Sequence, residues 1–232
     1  MTRVAGGPHP FHPGSKARLG PRSVARFPSG SLFDKLARAV CEADCLPRKE
    51  LYEAWEVARR TRRRFRGGRV VDLACGHGLL AYVMLLLDDS SGTALCVDRR
   101  LPPSAAKLGD VIERAWPRLA GRVTRIEGSL ADVPLVATDV VVSAHACGAL
   151  TDEVLTRASA CGARVAVLPC CHDASTSDTG GLEGWLDAAL AIDATRAATL
   201  RARGYDVRTQ AIPEAITPKN RLLLGEPGRD GA

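Results

Sequence analysis

Residues 69–81, RVVDLACGHGLLA, constrain the chain more than any other stretch. An apolar run, Val70–Val71, reaches Asp72, a tight Gly76-His77-Gly78 follows, and then an apolar segment, LLAYVMLLL, begins. Strand, glycine turn and helix in that order open a nucleotide-type βαβ unit. Glycines there let the main chain turn sharply and let a ligand lie against bare backbone. The spacing Gly76-x-Gly78-x-x-Ala81 also satisfies the dinucleotide fingerprint, so the glycines do not choose the ligand. Asp72 does. Phosphates on the helix N-terminus would be repelled by a carboxylate beside them. S-adenosylmethionine carries no phosphate and presents an ammonium and a sulfonium, which a carboxylate attracts. Asp72, Cys75, Gly76 and Gly78 are therefore the first cofactor-binding candidates.

The rest of the pattern is α/β. Two helices, about 31–44 and 48–65, precede the glycine turn. Thr93–Val97 makes a second strand closed by Asp98, 22 residues after Gly76, where an acid accepts hydrogen bonds from ribose hydroxyls. A helix over 104–118 leads to a third strand, about 122–126, ending at Glu127-Gly128-Ser129. Gly128 and Ser129 are candidates for the adenine, and Ser143, at the end of a fourth strand (Val140–Val142), for the cofactor. A fifth strand, Arg164–Leu168, breaks into Pro169-Cys170-Cys171-His172, and a long helix with Leu182, Trp185 and Leu186 on one face runs to Gly204. The last runs, Asp206–Ile212 and Arg221–Leu224, leave no room for a crossover helix and must pair antiparallel. Parallel strands closed by a C-terminal hairpin give a Rossmann-like class I methyltransferase sheet, and do not suit a six-stranded parallel dinucleotide domain. A nicotinamide-dependent oxidoreductase is thus the weaker enzyme reading, and a catalytically silent RNA-binding module the alternative from another class.

Residues 1–30 hold no acidic residue and no apolar periodicity, and read as a disordered basic tail; 31–225 read as the methyltransferase domain, and 226–232 as a second disordered tail. Net charge is +6 over 232 residues. Arg59, Arg60, Arg62, Arg63, Arg64 and Arg66 crowd the end of the second helix, more than a helix dipole needs, and suggest a phosphate-binding patch for RNA beside the cofactor cleft. Eight cysteines, several inside apolar strands, read as a reduced, cytoplasmic set. No run of about 18 apolar residues offers a membrane span.

His77, His145 and His172, with Cys75, Cys147, Cys170 and Cys171, follow strands one, four and five, so all fall on the carboxyl edge of an open sheet, where ligands bind. They can be small residues lining a tight turn. They can be catalytic, with His145 or His172 as general base for an acceptor that must lose a proton. They can be zinc ligands, but no Cys-x-x-Cys pair exists and adjacent Cys170 and Cys171 should point apart on extended backbone, so no metal is expected. The Asn-Pro-Pro-aromatic signature of amino-group methylases is absent at Ser143–Ala146.

DLACGHG, SAHACGALTD, LPCCHD and the closing ITPKNRLLL together resemble the methyltransferase-like 25 type of methyltransferase, with its His-x-Cys-Gly fourth strand and Cys-Cys fifth strand, and more distantly the tRNA ribose methylases bearing a CHHC finger. The resemblance spans about 48–224. It implies S-adenosylmethionine as cofactor, with Asp72, Gly76 and Gly78 on the first motif and Asp98 on the ribose acid, and it implies an RNA substrate. Cys41 and Cys45 have no histidine partners nearby, so the finger of the tRNA enzymes is missing.

Overall fold

The computed structural model describes residues 11–228. Seven strands form one sheet: β1 (Val70–Leu73), β2 (Ala94–Asp98), β3 (Val123–Glu127), β4 (Val140–Ser143), β5 (Arg164–Val167), β6 (Tyr205–Ala211) and β7 (Arg221–Pro227). Their order is β3-β2-β1-β4-β5-β7-β6. The first five are parallel, and β7 runs antiparallel to both β5 and β6. The expected closing hairpin is present, with Tyr205 opposite Pro227 and Ala211 opposite Arg221.

Six α-helices among the described residues accompany the sheet: α1 (Leu32–Ala43), α2 (Arg48–Arg64), α3 (Leu79–Leu87), α4 (Ser104–Ala115), α5 (Ala149–Ala160) and α6 (Ala188–Ala202). Strand alternation divides the core. Val70, Cys96 and Val140 pack toward α1–α4, while Val71, Leu95, Val97 and Val141 pack toward α5 and α6. Both faces are covered, which is why every residue of β1 is buried rather than alternate ones. No helix among the described residues is long and apolar enough to cross a membrane.

Three expectations need correction. Residues 11–30 are built into the fold. Leu19 is fully buried and its N–H donates to Leu46 O at 2.8 Å; Phe27 is 2 % exposed and stacks edge-on against Phe11 and Phe33. A few separated apolar residues anchor irregular backbone, and such a segment leaves no periodicity to read. Residues 1–10 lie outside the described residues. At the other terminus Glu226 and Pro227 belong to β7, and 229–232 lie outside the described residues. Finally, α6 starts at Ala188, where the Asp187 side chain caps the Leu190 N–H at 3.1 Å. Trp185, expected on its buried face, precedes the helix and is 88 % exposed.

Candidate functional site

The turn after β1 is left-handed at three of five positions: Ala74 (φ 55°), Gly76 (φ 53°) and Gly78 (φ 76°). A Cβ on Gly78 would stand 3.0 Å from Cys96 Sγ, so packing as well as φ demands glycine there. A Cβ on Gly76 would meet nothing within 4 Å, so the backbone at Gly76 lies open on its outer side. Gly76 N–H donates to Asp98 Oδ2 at 2.9 Å, which couples the turn to the end of β2. Asp98 Oδ1 accepts from Arg100 N–H at 3.2 Å. Cys75 is buried, and the neighbouring Cys96 thiol together with burial holds it protonated.

Asp72 is 1 % exposed. Burial pushes its carboxyl up to about 8, against a hydrogen bond from the Ala81 backbone that lowers it, and Asp98 adds a repulsive charge. Its Oδ2 is buried without a partner. A carboxylate oxygen in that state lacks a cation or donor. It lines a narrow cleft with Glu50, Cys75, His77 and His145. His77 Nε2 pairs with Ser104 Oγ at 2.9 Å, and burial followed by proximity to His145 lowers its basicity. His145 is exposed at the end of β4. The cleft thus joins a buried acid, Asp72, and an exposed imidazole, His145, to Cys75 and His77, the two neighbours of Gly76.

The other candidates fall differently. Gly128 N–H donates to Asp98 O at 2.9 Å and so fixes the β2–β3 edge. Ser129 Oγ accepts from Ala131 N–H and caps a short turn, Leu130–Asp132; Ser143 Oγ is buried and accepts from Ala146 N–H. Both hydroxyl oxygens therefore serve local turns. His172 is turned inward, and its Nδ1 has no hydrogen-bond partner. Its side chain is 2 % exposed, and Nε2 pairs with Asp193 at 2.8 Å. Cys170 and Cys171 do not point apart: their Sγ atoms are 3.8 Å from each other, and Cys147 Sγ is 3.0 Å from Cys170 Sγ.

The arginine cluster is mostly spent on the fold. Arg62 is 2 % exposed, donating to Met84 O, Phe65 O and Ser91 Oγ and paired with Asp88 at 3.2 Å. Arg59 and Arg60 pair with Glu56, Arg64 with Glu226, and Arg66 with Asp88 at 3.5 Å. Arg63 is exposed. Nor does the end of the cluster lie beside the cleft, although Arg60 Nη2 donates to Ala211 O at 3.2 Å, at the end of β6. Glu50 in the first turn of α2 lines the cleft, and Arg64 ends the helix 14 residues later, roughly 21 Å away. Arg62 reaches the end of α3 and the loop before β2, which is the amino edge of the sheet.

Two groups are absent from the candidates that the sequence offered. Glu50, which burial raises and His145 lowers, enters the cleft from outside the βαβ unit, so no spacing rule finds it. The Asp152–Asp193–Arg196 cluster lies under the β4 and β5 loops, with Arg196 4 % exposed and bonded to Asp152 at 2.7 Å. The i, i+3 pair Asp193 and Arg196 beside apolar Ile192 was the available clue.

A family profile described as a methyltransferase domain matches residues 49–178, more than half of the chain. No curated protein matches. Among solved structures, an O-methyltransferase family protein from Burkholderia thailandensis superposes with a TM-score of 0.53 at 21 % identity, covering 92 % of this chain and 65 % of that one. The chain thus spans just under two thirds of that protein's length. The S-adenosylmethionine-dependent methyltransferase SibL, in its apo form, gives 0.51 at 20 % identity, covering 93 % and 67 %. At such identities the likeness is one of fold, and the profile match supplies the family: the chain belongs to the methyltransferase domain family.

Proposed function

We propose that the protein is an S-adenosylmethionine-dependent methyltransferase of the methyltransferase-like 25 type, acting on RNA in the cytoplasm. One observation carries the cofactor: the buried, unpartnered Asp72 Oδ2 beside an open glycine turn at the carboxyl end of β1. A cationic ligand supplies what that oxygen lacks, whereas a pyrophosphate would face a second anion. Asp98, held by Gly76 N–H, retains acceptor capacity for ribose hydroxyls. The His145-Ala146-Cys147-Gly148 and Cys170-Cys171 sequences support the finer family assignment. Net charge +6 and exposed Arg99 and Arg100, directly after β2, support an anionic acceptor reaching the carboxyl edge. The free cysteines suit a reducing compartment.

When bound, the cofactor supplies an electrophilic methyl carbon and a neutral leaving group. The chain's part is positioning. Asp72 orients the ligand's positive end, the glycine turn admits its body, and His145, at the mouth with Glu50 beside it, takes the proton of an acceptor hydroxyl. Calorimetric titration with S-adenosylhomocysteine, with NAD in parallel, tests the reading. Binding of the first alone is expected and leads to labelled-donor assays on RNA pools. Binding of NAD alone overturns it.

A further inference from the structure

The loops after β4 and β5 carry a feature that methyl transfer does not use. The Sγ atoms of Cys147, Cys170 and Cys171 all lie within 4.8 Å of one another. Zinc–thiolate bonds of about 2.3 Å in tetrahedral geometry put sulfurs about 3.8 Å apart, and Cys170 and Cys171 already stand 3.8 Å apart. Cys147 is closer to Cys170, but its side chain is exposed and free to draw back. Neutral thiols are weak donors and weak acceptors, so mutual hydrogen bonding is a poor reason to gather three of them. Nor are they core filler, since Cys147 and Cys171 are exposed.

The protein fixes this arrangement from beneath. Gly148 N–H donates to Cys171 O at 3.3 Å and joins the two loops. Gly148 sits at φ 56°, ψ −131°, a conformation open to glycine. Its carbonyl accepts from Arg196 Nη2 at 3.0 Å, and Arg196 is bonded through Nε and Nη2 to Asp152. Asp193 ties His172 and Arg221 into the same layer. Soft donors on braced loops are what a metal site needs.

We propose that Cys147, Cys170 and Cys171 form a binding site for a thiophilic divalent cation, zinc above all, with the fourth position open to water or an exogenous ligand. Three protein ligands and one open position make this unlike a closed structural zinc site. None of the three cysteines lines the Asp72 cleft, so the proposal does not depend on which cofactor binds there.

The test uses the untagged full chain, kept reduced and stripped of metal. Titration with Zn²⁺ against a chromophoric chelator should show one equivalent bound, and Co²⁺ should give thiolate-to-metal charge-transfer absorption. Cys147→Ser, Cys170→Ser and Cys171→Ser should each weaken binding by more than about 100-fold, beyond the loss from an outer-shell partner. Cys161→Ser, at the far end of α5, should leave it unchanged. Alkylation mapping of the unaltered protein needs no folded variant: zinc should protect these three thiols and no others. Failure of the reduced protein to bind zinc, binding that survives all three substitutions, or protection elsewhere overturns the proposal. So does a Cys147–Cys170 disulfide whose reduced form takes no metal.

Discussion

Asp72 holds the Ala81 N–H with its carboxyl and leaves Oδ2 without a partner in a dry site. The folded protein therefore keeps a proton that the unfolded chain gives up at 3.8, because burial raises the carboxyl to about 8. Between these values the native state binds more protons, so this group's contribution to stability falls as pH rises from about 4 to about 8 and levels off above. Asp72→Asn should remove that slope from denaturant melts taken across the window. The ligand's ammonium needs the ionised form, so S-adenosylhomocysteine affinity should improve with pH, by at most about tenfold per unit for one linked proton, up to about 8. Asp98, whose charge raises the Asp72 carboxyl further, and Glu50, His77 and His145 around the cleft are the groups that would shift this window. Asp98→Ala should weaken the same ligand by about 1.5–3 kcal/mol, a charged hydrogen bond's worth; an unchanged dissociation constant would remove Asp98 from the site. His145→Ala should lower turnover with little change in cofactor affinity, and the reverse pattern would make it a pocket residue. Asp72 and Asp98 were legible as candidates because fixed offsets from the glycine turn place them. The surroundings of His172 were not legible, because sequence puts it on the carboxyl edge without saying that Asp193 pairs with it and that its side chain is buried.

At the scale of elements, α2 does two jobs with its two ends: Glu50 lines the cleft and Arg62 ties the helix to α3. Leu51, Ala54, Ala58 and Arg62 fall at helical spacing on one stripe, and all four are buried. That spacing was readable, but six arginines in eight residues drew attention to charge rather than to face. Arg62→Ala leaves buried Asp88 and the Met84 and Phe65 carbonyls short of a partner, and should cost about 3–5 kcal/mol in urea or thermal unfolding. Arg63→Ala, one residue on and exposed, should stay within about 0.5 kcal/mol. Equal losses would contradict the division of the helix into a buried and a solvent face. The start of α6 was unreadable for a related reason. Leu182, Trp185 and Leu186 repeat at helical spacing, yet the Asp187 cap resets the helix after them. Periodicity finds a face; caps decide where the helix begins.

For the whole molecule, the question is which edge of the sheet meets the acceptor. The parallel strands and their antiparallel closing pair followed from the glycine turn, the helical crossovers and the hairpin that lacks one, while the order of the strands is seen only in the fold. The placement of the arginine cluster did not follow, because nothing in the sequence fixes the direction in which an N-terminal helix crosses the sheet. In the fold that cluster ends at the amino edge, and most of it is paired with Glu56, Asp88 and Glu226. Arg99 and Arg100 instead follow β2 at the carboxyl edge, exposed and without an ion pair among the described residues. On the proposed function the acceptor meets the cleft at that edge, so an RNA acceptor's phosphates should be read there. Removing two contacts to a single strand should lower the slope of log affinity against log salt by about 1.4. Arg99→Ala with Arg100→Ala should produce that change in filter-binding titrations at several salt concentrations. Arg59→Ala with Arg63→Ala should leave the slope as it is. If the second pair flattens the slope and the first does not, RNA binds the amino edge, remote from the cleft, and binding and methyl transfer are separate activities of the chain.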